Sequence, residues 1–291
     1  MSTVAFIGLG GMGSLMAAHL QAAGHALRVY NRDHTKTKPL ADMGAEVCDS
    51  PASAAQCAQF VCLMVADDAA MRAVMLGPQG VMNHAAQGTI IVGCGTNTPA
   101  LARELARAAA ARGLSYLDAP VLGSLAQARA RELVFLVGGE GAAIEQVKPI
   151  LCAMGKMARR IGESGSGAAL KLINNMLLAA LTGALAEAAV VAEAAGLDPA
   201  AALEALGEGS VGSRALKTKL PKMFARDFSP QFALELMNKD LSYFAELARD
   251  LDCAVPIATL VLRRFADAQR DGLGKLDFGA VFLQAAAGPL R

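Results

Sequence analysis

The pattern of apolar and polar positions divides the chain into two parts of different character. Up to about residue 160, short apolar runs of strand length alternate with amphipathic stretches of helix length. The predicted strands are Thr3–Ile7, Ala26–Tyr30, Phe60–Val65, Thr89–Val92, Ser115–Asp118 and Leu133–Val137. Strands that alternate with helices form parallel sheets with helices on both faces. The first part is therefore predicted to be a doubly wound α/β domain.

The second part shows helical periodicity after the turn cluster Gly162–Gly167. Residues 168–195 contain no proline and are followed by Gly196, so they predict one long helix of about 28 residues. Further helices are predicted near 198–207, 213–225, 232–251, 255–271 and 277–287. We expect a doubly wound domain over residues 1–163, followed by an all-helical domain over 164–291 that the long helix joins to it.

Composition and charge exclude several classes of protein. With 54% hydrophobic residues in 291 and a net charge of +1, the chain is globular and carries no excess of positive charge. We therefore expect no nucleic acid and no membrane as partner. The long helix is apolar, but Asn174, Asn175 and Glu187 would be costly in lipid, so a buried soluble helix is favoured.

The cysteines and the N-terminal residues indicate the cellular compartment of the protein. The six cysteines form no C-x-x-C pair, and none of the four histidines lies at metal-ligand spacing, so we expect no metal. We interpret the cysteines as reduced, mostly buried thiols. No basic segment precedes the first apolar run, which argues against a signal peptide and favours a cytoplasmic protein.

A glycine-rich turn directly follows the first strand and opens a helix. It consists of Gly8, Leu9, Gly10, Gly11, Met12 and Gly13. This G-x-G-x-x-G order within a strand–turn–helix unit is typical of dinucleotide-binding Rossmann-type domains, in which the backbone and the helix N-terminus approach a pyrophosphate. A purely structural glycine turn is the alternative interpretation.

The end of the second strand predicts the cofactor. NAD sites usually place a carboxylate there to hold the ribose 2′-hydroxyl, whereas this chain has Asn31 and Arg32, with Lys36 one turn on. Arg32 and Lys36 suit a 2′-phosphate, so NADP is favoured over NAD. Asp33 would repel that phosphate unless it points away or caps the next helix. Alternatively, Arg32 and Lys36 are ordinary solvated charges.

A pair of polar residues stands out on the long helix. Lys171 and Asn175 lie four residues apart, on one face of a helix that is otherwise apolar. Burial among apolar neighbours lowers the pKa of a lysine, which suits general acid–base chemistry near neutrality. In the alternative interpretation, Lys171 simply extends to solvent near the start of the helix.

Five motifs in this order resemble the β-hydroxyacid dehydrogenases, a superfamily that includes 3-hydroxyisobutyrate dehydrogenase and semialdehyde and glyoxylate reductases. They are Gly8–Gly13 (G-L-G-G-M-G), Asn31–Arg32, Asp118–Val121 (D-A-P-V), Gly165-x-Gly167-x-x-x-Lys171-x-x-Asn174-Asn175, and Lys239–Leu241 (K-D-L). The resemblance covers essentially the whole chain. It implies that Lys171 is the catalytic acid/base and that Asn175 orients the substrate.

The resemblance also assigns the surroundings of the site. Asp118–Ser124 would form the substrate loop, and Met64, Val65 and Thr96 would lie near the nicotinamide end of the cofactor. Lys239 would reach into the cleft as a further cofactor-binding residue, although the apolar stripe of its own helix predicts that Lys239 faces solvent.

Two departures from the family pattern affect this assignment. Leu122 stands where the family commonly has a serine, so binding of a substrate carboxylate would depend on donors of Gly123 and Ser124. The segment Gly93–Pro99 lacks the usual acidic residue and serine ahead of Thr96.

These observations predict an NADP-dependent oxidoreductase that transfers hydride between nicotinamide and a small aldehyde, semialdehyde or 3-hydroxy acid. One alternative is an imine reductase-like enzyme, which Leu122 favours and Lys171 opposes. The other is a non-catalytic dinucleotide-binding module. The apolar helical second part further predicts a homodimer or homotetramer.

Overall fold

Residues 1–287 are described by a computed structural model, and nine strands within them form one sheet. The strands are β1 (Thr3–Ile7), β2 (Ala26–Tyr30), β3 (Glu46–Val47), β4 (Phe60–Leu63), β5 (Ile90–Gly93), β6 (Ser115–Asp118), β7 (Val121–Leu122), β8 (Val134–Gly138) and β9 (Met157–Gly162). Three of the predicted strands, β1, β2 and β6, have the predicted bounds.

The helices follow the predicted order. They are α1 (Gly11–Ala22), α2 (Lys38–Ala41), α3 (Pro51–Ala55), α4 (Asp68–Leu76), α5 (Pro99–Ala110), α6 (Leu125–Arg129), α7 (Gly141–Met154), α8 (Ser166–Ala194), α9 (Pro199–Glu208), α10 (Arg214–Phe224), α11 (Leu234–Asp250), α12 (Pro256–Arg270) and α13 (Val281–Ala286). Short 3₁₀ helices occupy His34–Thr37, Val81–Asn83, Leu273–Lys275 and Phe278–Ala280. The single helix predicted over 277–287 is thus wrong, because Asp277 caps a 3₁₀ turn before α13 begins.

The strand order is that of a doubly wound sheet. Six parallel strands lie in the order β3-β2-β1-β4-β5-β6, and β8 then adds antiparallel to β6, with β7 and β9 as its further partners. This is the dinucleotide-binding order, in which the direction of winding reverses between β1 and β4. The predicted α/β class with a Rossmann-type first domain is confirmed.

Alternating side chains of β1 show why this sheet is buried on both faces. Val4 and Phe6 pack into a core that includes residues of α1 and α7, whereas Ala5 and Ile7 pack into another that includes residues of α3, α4 and α5. A strand buried on both faces has a continuous apolar sequence, and Val-Ala-Phe-Ile has this property.

The described residues form two compact units, Met1–Lys171 and the residues from Leu172 onward, and the division falls within α8. The second unit is helical, as predicted, with cores built around α8 and α10–α12. The domain division at residues 163 and 164 stays a prediction.

Helix α8 is less buried than its sequence predicts. It is long and apolar enough to cross a membrane by length and composition, and about a third of its most apolar stretch is buried. Leu177 and Val191 are 59% and 67% exposed. Apolar composition alone is weak support for a membrane span, because core helices of soluble proteins share it.

All six cysteines lie among the described residues and are unpaired. Buried are Cys48, Cys62 and Cys94, and exposed are Cys57, Cys152 and Cys253. Burial raises the pKa of the Cys62 thiol to about 12, so this thiol is uncharged and inert at neutral pH. The expectation of mostly buried cysteines holds for three of the six.

Candidate active site

The glycine-rich turn fits closely between β1, β2 and β4. Gly8 has a φ of +97°, and its N–H donates to the Tyr30 carbonyl at 3.0 Å. A Cβ on Gly8 would overlap the Met64 carbonyl oxygen, and a Cβ on Gly13 would overlap the Gly8 carbonyl oxygen. Both positions therefore require glycine, which lets α1 start directly against the sheet.

The N-terminus of α1 is built to receive an anion. Gly10 is its N-cap residue, no side chain caps this end, and the first turn contains no acidic residue. Gly10 and Gly11 are exposed, and a Cβ on Gly10 would meet no atom within 4 Å. Backbone N–H groups at a helix start, together with the helix dipole, bind phosphate. These residues fit the pyrophosphate of a dinucleotide.

Asn31 ties the glycine-rich turn to the segment after β2. Its Oδ1 accepts the Leu9 N–H at 2.8 Å, and its Nδ2 donates to the Asp33 carbonyl at 2.8 Å. The side chain thus holds the turn and the following loop in a fixed relation. Its predicted place beside the cofactor loop is consistent with these contacts.

Asp33 caps the 3₁₀ helix His34–Thr37. Its Oδ1 accepts the Thr35 N–H at 3.1 Å and the Thr35 hydroxyl at 2.6 Å, and these hydrogen bonds hold its pKa below the usual value. Lys36 Nζ lies 4.0 Å from Oδ2, and Arg32 is exposed. Asp33 therefore caps this helix, which is the condition under which Arg32 and Lys36 are compatible with a 2′-phosphate.

The carboxyl ends of β4 and β5 adjoin the glycine-rich turn. Met64 and Val65 are half-buried directly after β4, and the Met64 N–H donates to the Ile7 carbonyl at 2.9 Å. A Cβ on Gly95 would meet the Val65 carbonyl oxygen at 2.5 Å. Thr96 follows and is half-buried. The structure thus brings these predicted cofactor residues to the same edge of the sheet.

Asp68, which belongs to none of the sequence motifs, anchors the loop that carries Thr96. It lies at the start of α4 and accepts hydrogen bonds from Asn97 Nδ2 at 2.9 Å, Thr98 N at 3.1 Å and Thr98 Oγ1 at 2.6 Å. Thr98 in turn caps α5. A carboxylate on a neighbouring helix therefore fixes the segment in which the chain departs from the family pattern.

The loop predicted to bind the substrate lies beside the glycine-rich turn. Leu122 is half-buried in β7 opposite Val134, and Gly123 has a φ of +131°. A Cβ on Gly11 would lie 3.1 Å from Leu125, the first residue of α6. The loop that follows β6 is therefore a neighbour of the loop predicted to hold the pyrophosphate.

Ser124 does not offer its donors to this site. Its backbone N–H and its hydroxyl both donate to Oε1 of Gln127, at 2.9 and 2.6 Å. Of the two residues expected to replace the missing serine as donors, Ser124 is thus already engaged within its own helix start.

Asp118 holds the start of α8. Its carboxylate, 3% exposed, accepts the Gly165 N–H at 2.7 Å and the Ala168 N–H at 2.8 Å. Burial raises its pKa, and these hydrogen bonds oppose that change. A Cβ on Gly167 would overlap the Leu136 carbonyl oxygen, so glycine is required for this close approach. The clamp fixes the backbone of the helix turn that leads to the half-buried Lys171.

Asn175 belongs to a buried polar network in the second unit. Its Nδ2 donates to Asp240 Oδ2 at 2.6 Å, and its Oδ1 accepts from Asn174 Nδ2 at 3.0 Å. Lys239 Nζ lies 2.9 Å from Asp240 Oδ1 and 4.7 Å from the centre of the Tyr243 ring. The side chain of Lys239 is 18% exposed, so the prediction that it faces solvent is wrong.

Comparison with known proteins identifies the family. Residues 3–162 match the NAD binding domain of 6-phosphogluconate dehydrogenase, and residues 165–283 match the NAD-binding domain of NADP-dependent 3-hydroxyisobutyrate dehydrogenase. The chain belongs to the β-hydroxyacid dehydrogenase superfamily. The resemblance drawn from its five motifs is confirmed.

Individual members of the β-hydroxyacid dehydrogenases match over nearly full length. The chain is 34% identical to 3-hydroxyisobutyrate dehydrogenase of Pseudomonas aeruginosa, covering 97% of each chain. It is 34% identical to 3-sulfolactaldehyde reductase of Escherichia coli, covering 98% of this chain and 96% of that one. The structure of Mycobacterium tuberculosis 3-hydroxyisobutyrate dehydrogenase with L-serine aligns with a TM-score of 0.90 at 31% identity, covering 99% of this chain and 100% of that one. The chain is an NAD(P)-dependent dehydrogenase acting on CH–OH or C=O groups.

Proposed function

We propose that the protein is an NADP-preferring enzyme that interconverts a small aldehyde or semialdehyde with its alcohol, or oxidises a 3-hydroxy acid, with Lys171 as general acid/base. The observation that carries the proposal is the Asp118 clamp on the first turn of α8. It fixes the helix turn leading to Lys171 in the same unit as the dinucleotide loop. Asn175, on the same helix, is proposed to orient the substrate.

The chain's own groups would handle the proton. When bound, NADPH supplies the hydride, so that two electrons and one hydrogen pass from nicotinamide C4 to the carbonyl carbon and NADP⁺ is left. The ammonium Nζ of Lys171 donates a proton to the carbonyl oxygen as negative charge develops there, and the product is an alcohol. The neutral amine then regains a proton from solvent. In the oxidative direction Lys171 accepts the proton.

The proposed phosphate recognition predicts a selective loss of affinity. Replacing Arg32 with alanine removes a charge-assisted contact, which contributes about 1.5–3 kcal/mol, so NADPH affinity should fall about 10- to 100-fold while NADH affinity changes little. Dissociation constants from the fluorescence of the bound reduced cofactors measure this. Lys38→Ala, which removes a neighbouring exposed lysine, is the matched control. Equal affinity of the unaltered protein for both cofactors would contradict the preference.

Turnover separates the proposal from its alternatives. Oxidation of NADPH and NADH at 340 nm is followed with a panel of small aldehydes, and reduction of the oxidised cofactors with 3-hydroxyisobutyrate and related alcohols. The panel includes a sulfonated aldehyde, since relatives are named for an acid and a sulfonate. Cofactor binding without any turnover would favour a non-catalytic module. Turnover of cyclic imines alone would favour an imine reductase.

The exposed apolar side chains of the helical unit support self-association. Leu177 and Val191 on α8 and Ile257 and Leu260 on α12 are each more than half exposed. Large apolar side chains that are exposed on helices are common at protein interfaces. We propose a homodimer or homotetramer, with a mass of two or four times 29.9 kDa by light scattering. A monomer at micromolar concentration would contradict this.

The cytoplasm is the proposed compartment. The chain's six cysteines are unpaired and three of them are exposed, which suits a reducing environment. Recovery of the activity in a membrane or secreted fraction after cell fractionation would contradict the proposal.

A further inference from the structure

The start of α6 occupies both hydrogen-bond donors of Ser124. The backbone N–H and the hydroxyl converge on one atom of Gln127 at 2.9 and 2.6 Å. A backbone N–H can only donate, so the Gln127 atom that faces it is the amide oxygen. Because that oxygen has no hydrogen to give, the Ser124 hydroxyl is the donor of the second bond. Gln127 therefore holds Ser124 in a closed capping arrangement.

The rest of the substrate loop is poor in donors. The Ala119 N–H donates to the Gly93 carbonyl at 2.8 Å, and Pro120 has no N–H. The Leu122 side chain is half-buried and apolar. A carboxylate that leaves water needs several donors to replace its hydration. With Ser124 held by Gln127, the amide of Gly123 is the remaining donor of the pair expected to receive such a group.

This donor-poor segment lies next to the predicted cofactor position. Leu125 follows Ser124 and lies against Gly11 of the glycine-rich turn. His19 on α1 also contacts the Ala128 carbonyl of α6 at 2.9 Å. The start of α6 is therefore held beside the dinucleotide loop. Its hydrogen-bonding groups affect which substituents of a substrate can bind there.

We propose that Gln127 determines the class of substrate. Because it occupies both donors of Ser124, the site favours aldehydes with an uncharged aliphatic substituent over aldehydes with a carboxylate. The inference rests on the proposed function, since it needs a carbonyl substrate beside this loop. Gln127 is a positioning residue, because it acts through Ser124. Leu122 adds to the effect by lining the same loop with an isobutyl group.

The test compares two substrates that differ in charge and share the reacting carbonyl. They are 4-oxobutanoate and its methyl ester, and the measured quantity is the ratio of their kcat/KM values with NADPH. We expect the unaltered enzyme to favour the ester about tenfold or more. Gln127→Met keeps the length of the side chain and removes the amide oxygen, which releases both donors of Ser124. This variant should move the ratio toward the acid by about tenfold, the effect of one hydrogen bond to a charged group.

Gln127→Glu is the matched control. Its carboxylate still accepts from the Ser124 N–H and hydroxyl, forming the usual S-x-x-E capping box, so the ratio should not move toward the acid. Leu122→Ser adds a donor without disturbing Gln127 and should favour the acid. Melting temperatures are recorded for every variant. A merely structural Gln127 would lower the melting temperature of Gln127→Met without moving the ratio, and that result would overturn the inference.

Failure of the inference and failure of the proposed function give different results. Preference of the unaltered enzyme for 4-oxobutanoate would overturn the inference and leave the oxidoreductase assignment standing. Absence of turnover with every aldehyde and alcohol, under either cofactor, would overturn the proposed function and the inference with it.

Discussion

Replacing Lys171 with alanine is expected to lower kcat by about 10²–10⁴ while leaving cofactor affinity nearly unchanged, because general acid–base assistance has this magnitude. The position supports a chemical role. Lys171 is half-buried, and the turn of α8 before it is fixed by two hydrogen bonds from backbone N–H groups to Asp118. A side chain whose backbone is held in this way can present its ammonium group reproducibly to a carbonyl oxygen.

A second substitution separates chemistry from stability. Lys171→Met keeps much of the length of the side chain and its helix propensity but cannot donate a proton, so it should lose as much kcat as the alanine variant. Lys148→Ala removes an exposed lysine of α7 in the same unit and should retain normal turnover. The measured quantities are kcat, the cofactor dissociation constant and the melting temperature. Near-normal kcat in both Lys171 variants, or losses that merely follow stability, would contradict the assignment.

The parts of the fold that could be predicted are those that depend on local sequence. Strand β1 and the turn after it were predictable because an apolar run ends at Gly8, where the backbone needs a positive φ. Strand β9 is not predicted by the sequence, because it includes Arg159 and Arg160 and therefore shows no apolar run. Its place in the sheet comes from pairing with β8, which sequence periodicity does not reveal.

The candidate site could be predicted in part for the same reason. The Ser124–Gln127 pair is local, and its S-x-x-Q spacing is typical of a capping box. The buried environment of Lys239 was not predictable from its own helix. The apolar stripe of α11 describes packing against apolar neighbours, whereas Lys239 is buried by an ion pair with Asp240 and by the Tyr243 ring.

The role of Asp118 could not be predicted from local sequence, because its hydrogen-bond partners lie 47 and 50 residues further along the chain. Replacing Asp118 with alanine should leave the buried Gly165 and Ala168 N–H groups without this acceptor. An unsatisfied buried donor costs about 1–3 kcal/mol, so the free energy of unfolding should fall by a few kcal/mol. Urea denaturation followed by circular dichroism measures the loss. Because α8 carries Lys171, kcat should fall as well.

Two comparisons show whether burial causes this effect. Asp198→Ala removes an exposed carboxylate that caps α9 through the Ala201 N–H, and it should cost about 1 kcal/mol. Equal losses for Asp118→Ala and Asp198→Ala would contradict the role proposed for Asp118. Asp118→Asn keeps the shape and one acceptor oxygen, but its NH₂ group faces a second donor, so an intermediate loss is expected.

The difference in unfolding free energy between the unaltered protein and Asp118→Asn should change with pH in one direction. Burial raises the pKa of Asp118 in the folded chain above its ordinary value, so the folded state binds its proton more tightly than the unfolded state does. Binding of this proton therefore stabilises the folded state. The stabilisation is fully present at a pH below the pKa of Asp118 in the unfolded chain, and it is lost as the pH rises through the pKa of Asp118 in the folded chain. Asp118→Asn has no such proton. The difference in unfolding free energy between the unaltered protein and Asp118→Asn should therefore narrow as pH rises from about 4 to 7. A difference that widens over this range would show that the hydrogen bonds from Gly165 and Ala168 outweigh burial and lower the pKa of Asp118.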